Sequence, residues 1–121
     1  MIRGEVTRNG IPAIEWRIGG KIWPATIDTG FNSDLELPKK LRSKVKARYI
    51  GPIKSLLAGG QSITKDAYDV LVLFDGKVRR AEATFVDGKE ILIGTRFLRK
   101  YRLEVDFVAE TLLLERASTS A

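Results

Sequence analysis

Five turn dipeptides that end in glycine, Asn9-Gly10, Gly19-Gly20, Gly59-Gly60, Asp75-Gly76 and Asp87-Gly88, divide this 121-residue chain into segments too short for anything but strands and a few helical turns. Such pairs supply the positive φ angles that tight hairpins need. Between them, Glu5–Thr7, Ile11–Ile18, Lys21–Ile27, Tyr49–Leu57, Ile63–Phe74, Lys77–Val86 and Ile91–Ile93 alternate in polarity or are rich in Val, Ile, Thr and aromatics. That is the pattern of half-buried β-strands. Arg102–Phe107 and Thr111–Glu115 predict a last hairpin, and the whole reads as an all-β meander.

Two segments depart from it. Pro38 to Lys46 sets Leu41 and Val45 four residues apart among cations, which predicts one or two turns of amphipathic helix opening at a proline. Thr95 to Lys100 predicts a second short helix with Phe97 and Leu98 facing inward. Residues 1–116 are expected to form one domain, and the small polar segment 117–121 a disordered tail.

Composition narrows the chemistry. With no cysteine and no histidine, disulfides, thiolate nucleophiles, histidine-bearing zinc sites and Ser/His/Asp or Cys/His catalysis are all excluded. Catalysis must therefore rest on carboxylates, hydroxyls, lysines or tyrosines. The net charge of +6 favours anionic partners in general without naming one. Apolar runs such as Val70–Phe74 fall far short of the roughly 20 residues that span a bilayer, and Met1-Ile2-Arg3-Gly4-Glu5 lacks a signal-type apolar region. The expectation is a cytoplasmic protein with no membrane partner.

Within this frame Trp23-Pro24-Ala25-Thr26-Ile27 is an apolar strand that runs into Asp28-Thr29-Gly30. Alone, such a triplet is an ordinary strand-closing turn. A second β run, Ile91-Leu92-Ile93, ends at Gly94 and leads to Thr95-Arg96-Phe97-Leu98, and a glycine-tipped hairpin, Leu56-Leu57-Ala58-Gly59-Gly60-Gln61-Ser62, lies between the two. Together these elements resemble the retropepsin-like aspartic proteases of the retroviral type, especially the single-domain prokaryotic members. The resemblance covers nearly the whole chain, Met1 to about Glu115.

It implies a closed β fold with one or two short helices, active as a homodimer. It matches Asp28 to the catalytic aspartate and Thr29 and Gly30 to the rest of its loop. Ala58, Gly59 and Gly60 match the tip of a substrate-covering flap, and Ile93 and Gly94 match the turn that supports the catalytic loop. Members often carry Ala-Asp-Gly at the flap and a glycine where this chain has Ser33.

The implied reaction is hydrolysis of a peptide bond. One carboxylate takes a proton from water while a second, protonated carboxyl donates to the carbonyl oxygen. Two like charges about 3 Å apart cannot both ionise comfortably, so such a pair shares one proton. With a single Asp-Thr-Gly, this chain needs a second copy of itself to set Asp28 against Asp28. The implied partners are thus the chain itself and a peptide or protein substrate, with no metal and no cofactor.

Other readings compete. Asp34 and Glu36 alternate with Leu35 and Leu37, which predicts a solvated strand face rather than a cation site with Asp28. The run from Lys39 to Arg48 carries six cations and could contact phosphates, with Trp16, Trp23, Tyr49 and Tyr68 available for stacking in a nucleic-acid-binding barrel. A solvated face and a core role for those aromatics explain the same residues more simply. The stronger competitor keeps the fold and drops the chemistry: a catalytically silent dimerisation or peptide-binding module.

Overall fold

A computed structural model of the protein describes residues 1–117; residues 118–121, most of the expected tail, lie outside the described residues. The strands are β1 (Ile2–Val6), β2 (Pro12–Ile18), β3 (Lys21–Ile27), β4 (Leu35–Pro38), β5 (Lys46–Leu56), β6 (Ser62–Phe74), β7 (Lys77–Val86), β8 (Ile91–Ile93), β9 (Tyr101–Asp106) and β10 (Thr111–Arg116). They form one sheet in the order β5-β6-β7-β4-β8-β3-β2-β1-β10-β9. Four neighbouring pairs are antiparallel hairpins closed by turn dipeptides, as at Asp75, which holds a φ of 52° before Gly76 at 76°. The expected meander is broken at Asp87-Gly88, which joins β7 to β8 without pairing them, because β4 lies between the two. Two pairings are parallel, β3 with β8 and β4 with β7. These interlock distant parts of the chain, because β4 also pairs antiparallel with β8.

The sheet wraps around its own core. Trp16 on β2 packs edge-on against Phe74 on β6 at 4.9 Å, and Phe97 lies 5.0 Å from Phe74, so both halves of the sheet share one aromatic cluster. The Trp16 indole N–H donates to the Leu73 carbonyl at 2.9 Å, which satisfies the one polar atom that ring buries. Leu35, Leu37, Leu41, Ile91, Ile93 and Leu114 are almost wholly removed from water around it. Full burial of each such side chain contributes about 1.5–3 kcal/mol, so this layer accounts for much of the driving force.

Both expected helices shrink. The first is a single 3-10 turn, Lys39–Leu41, that tucks Leu41 into the core before β5 starts at Lys46. The second, Thr95 to Lys100, is a succession of tight turns in which Leu98 N–H bonds Thr95 and Tyr101 N–H bonds Leu98. Segments this short do not repay helix nucleation, and burial of Leu41 and Phe97 decides their shape instead. Among the aromatics, Trp16 and Trp23 are core as expected, whereas Tyr49 is 54% exposed. It sits beside a bulge in β5, where Gly51 takes a φ of 127°.

Candidate active site

β3 delivers Asp28 because its apolar residues Trp23, Ala25 and Ile27 are pinned in the core while the chain must turn at Thr29-Gly30. The Asp28 N–H donates to the Ile93 carbonyl at 2.9 Å, which continues the parallel β3–β8 ladder one residue past the strand. The Asp28 carboxylate accepts the Gly30 N–H at 2.9 Å, and Phe31 N–H closes the turn on the Asp28 carbonyl at 3.1 Å. Asp28 is half-buried, while Thr29 and Gly30 are exposed. The loop thus presents a fixed carboxylate at the surface.

Beneath it, Ile93 and Gly94 make the brace. Gly94 N–H bonds the Asp34 carbonyl and Thr95 N–H bonds the Phe31 carbonyl, both at 2.8 Å. A side chain at Gly94 would collide with the carbonyl oxygens of Ser33 and Phe31, so the loop can lie this close only on glycine.

Three charged groups lock the far side of the loop. Arg96 donates to Asp34 at 3.1 and 3.3 Å and to Glu82 at 2.6 Å, and Asp34 also accepts the Glu82 N–H at 2.8 Å. Hydrogen bonds to Asp34 and then to Glu82 raise the Arg96 guanidinium above its ordinary pKa. This corrects the expectation for Asp34, whose side chain is 15% exposed and sits in the network rather than on a solvated face. Glu36 is likewise engaged, 3.1 Å from Lys65 on β6. No pattern around Asp34 and Glu36 announces these pairings, because Lys65, Glu82 and Arg96 arrive from far along the chain. Among the described residues no cluster of carboxylates is placed to hold a metal ion.

Ala58, Gly59 and Gly60 form the tip of the β5–β6 hairpin, where Leu57 and Gln61 close the loop and Gly60 takes a φ of 81°. Leu56, at 82% exposed, and Leu57, at 43%, project beside it. Between the Asp28 loop and this hairpin lies a small cavity of about 50 Å³, lined by Phe31 and Ser33 from the loop, Ile53 and Ser55 from β5, and Glu82 and Thr84 from β7.

One further feature shares the end of the sheet that carries Asp28. Register runs across the strands from Thr26 to Ala13 to Glu5 to Thr111 to Asp106, so the β9–β10 turn is level with the Asp28 loop. Asp106 accepts the Val108 and Ala109 N–H groups, both at 3.0 Å, and holds this turn with Phe107 65% and Val108 97% exposed.

Half of the basic run is engaged by other residues of the chain. Lys39 pairs with Asp87, Arg48 pairs with Asp69, and Arg42 lies over the Tyr68 ring at 4.1 Å while bonding its hydroxyl.

No family model and no curated protein sequence matches the chain. Solved structures do. The chain is similar to the crystal structure of a retropepsin-like aspartic protease from Rickettsia conorii, with a TM-score of 0.67 and 18% identity over 95% of this chain and 89% of that one. It is also similar to the solution structure of Simian Foamy Virus (mac) protease, with a TM-score of 0.54 and 20% identity over 72% and 91%. A foamy viral protease-reverse transcriptase matches at a TM-score of 0.59 and 16% identity, over 78% of this chain and 13% of that longer one. At such identities the likeness is one of fold: this chain has a retropepsin-like fold.

Proposed function

We propose that this protein is an aspartic endopeptidase that acts as a homodimer, with water activated between the Asp28 carboxylates of two copies. The observation that carries the reading is the braced Asp28 loop: a half-buried carboxylate that accepts a backbone N–H, fixed to Ile93 and seated on Gly94. Preorganisation of this kind is what acid–base chemistry at a peptide carbonyl requires.

One copy supplies one carboxyl and a narrow half-cleft, so the second copy is part of the reaction. A two-fold axis beside Asp28 would also bring together the Phe107 and Val108 turns at that end of the sheet, and cover apolar surface that is costly in water. The hairpin tipped by Ala58, Gly59 and Gly60 would close over the substrate, whose extended backbone pairs as an added strand. Thr29 would steady the paired loops across the axis. Because the two carboxyls share a proton, activity should depend on pH through the pair rather than through either aspartate alone.

The test is cleavage of a diverse peptide library at several pH values, read by mass spectrometry, for the wild type and Asp28→Asn. Asparagine keeps the oxygen that accepts Gly30 N–H, so the variant should fold and dimerise while losing turnover. If both proteins are folded dimers and neither cuts, the silent peptide-binding module takes the place of the enzyme.

A further inference from the structure

The start of β7, the 96–101 segment and the end of β10 line a cleft of about 440 Å³. Six cationic side chains line it: Lys77, Arg79, Arg96, Arg99, Lys100 and Arg116. Arg96 is already neutralised by Asp34 and Glu82. Among the described residues the other five make no ion pair. Asp75, in the β6–β7 turn beside the cleft, is bonded to the Tyr101 hydroxyl at 3.0 Å and to the Met1 ammonium at 3.4 Å. Five uncompensated positive charges therefore stand around one concavity, in a chain whose whole excess is +6.

Arg79 carries the argument past a merely charged surface. Its guanidinium lies 3.8 Å over the Phe97 ring and donates to the Phe97 carbonyl at 2.8 Å, but its Nη1 is buried with no hydrogen-bond partner among the described residues. Burial, opposed by nearby Tyr101 and Asp34 and reinforced by the charge of Arg116, lowers its pKa from the ordinary value. Buried polar groups without partners are rare in folded proteins, and a guanidinium that is partly desolvated beside another cation gains most from a counter-charge.

We propose that this cleft binds a small anion built of linked phosphoryl groups. Arginine forks match the oxygens of a phosphoryl group, and the flexible lysines supply compact charge around them. The volume exceeds what a single phosphate fills and suits a chain of two or three such groups, whose charge is of the order the five cations balance. The proposal does not depend on the reading of Asp28, which is not among the residues that line this cleft.

The test is thermal unfolding of the full chain at fixed ionic strength, about 0.15 M, with added tripolyphosphate, ATP, or an equivalent amount of chloride. Tripolyphosphate at millimolar concentration should raise Tm by several degrees, on the order expected for a saturated site in a domain of this size. The rise should survive in Asp28→Asn and in a Lys39→Gln/Lys40→Gln control, and be lost in Arg99→Gln/Lys100→Gln. Equal shifts with ATP and tripolyphosphate assign recognition to the phosphate chain, and a larger shift with ATP adds a nucleoside; both uphold the site. No shift beyond chloride overturns it, as does an equal loss in the Lys39/Lys40 control, which would mean diffuse attraction to a cationic protein. If Arg99→Gln/Lys100→Gln fails to fold, Lys77→Gln/Arg116→Gln carries the same comparison.

Discussion

Gly94 and Ser33 touch through backbone alone: a Cβ on Gly94 would run into the Ser33 carbonyl oxygen. The floor of the Asp28 loop is therefore set by the absence of a side chain. Gly94→Ala should push the 28–33 loop off its seat and cost about 1–3 kcal/mol of stability, the usual scale of overpacking. Gly59→Ala at the hairpin tip meets open space, without a positive φ, and should stay within about 0.5 kcal/mol. Urea denaturation of the two variants side by side reads the difference. Peptide cleavage should fall sharply in Gly94→Ala, because misplaced carboxyls cannot share a proton across the axis.

Arg96→Met leaves Asp34 and Glu82 facing each other without their cation. Asp34 is too shielded for water to compensate fully, so a loss of about 2 kcal/mol is expected, between the exposed and fully buried limits for ion pairs. Arg102→Met removes the exposed pair with Glu104 and should cost almost nothing, about 0.5 kcal/mol at most. Chemical denaturation separates the two.

Self-association should depend on the β9–β10 turn. Replacing Phe107 and Val108 together by serine removes the apolar tip while Asp106 still caps the turn. A dimer seated there should dissociate at least tenfold more readily, since a loss of about 1.4 kcal/mol already has that effect. Sedimentation over a concentration series, with folding checked by circular dichroism, measures it. An unchanged dimer would move the contact elsewhere.

Tyr101 gives a pH signature of stability. Burial first, and then the hydrogen bond to Asp75 and the charge of Asp75, raise its pKa in the folded chain. A raised pKa means that the folded state favours the neutral phenol. The associated stability is complete below the ordinary tyrosine value of about 10 and drains away as pH climbs through the higher folded value. Tyr101→Phe should thus be less stable than wild type at pH 8, by about 1 kcal/mol for the lost hydrogen bond, and the gap should narrow above pH 10. Unfolding curves at both pH values check the sign.

The parts of this structure that were legible in sequence are those written in neighbouring residues. Four of the five turn dipeptides mark hairpins, Asp87-Gly88 being the exception, and an apolar strand running into Asp28-Thr29-Gly30 marks where a carboxylate is fixed. The Arg96–Asp34–Glu82 network was not legible, because three strands or turns distant in sequence supply one charged group each. Asp34 alternates with leucine as a solvent-facing residue would, and only the hydrogen bonds from Arg96 and the Glu82 N–H show that its side chain is covered. The helices were misread for a related reason. Leu41 and Val45 have helical spacing, but in a stretch of a few residues the demands of the core outweigh periodicity, as they do around Phe97.

The hydrogen bond from Asp28 N–H to the Ile93 carbonyl has a consequence in time. During synthesis the Asp28 segment leaves the ribosome long before β8 and Gly94 exist to receive it, and nothing local can stand in for them. Pairings between such distant stretches form late and slowly. The chain is therefore made with its carboxylate loop unbraced through most of its elongation, and the loop acquires its working shape only when the last quarter of the chain has been added.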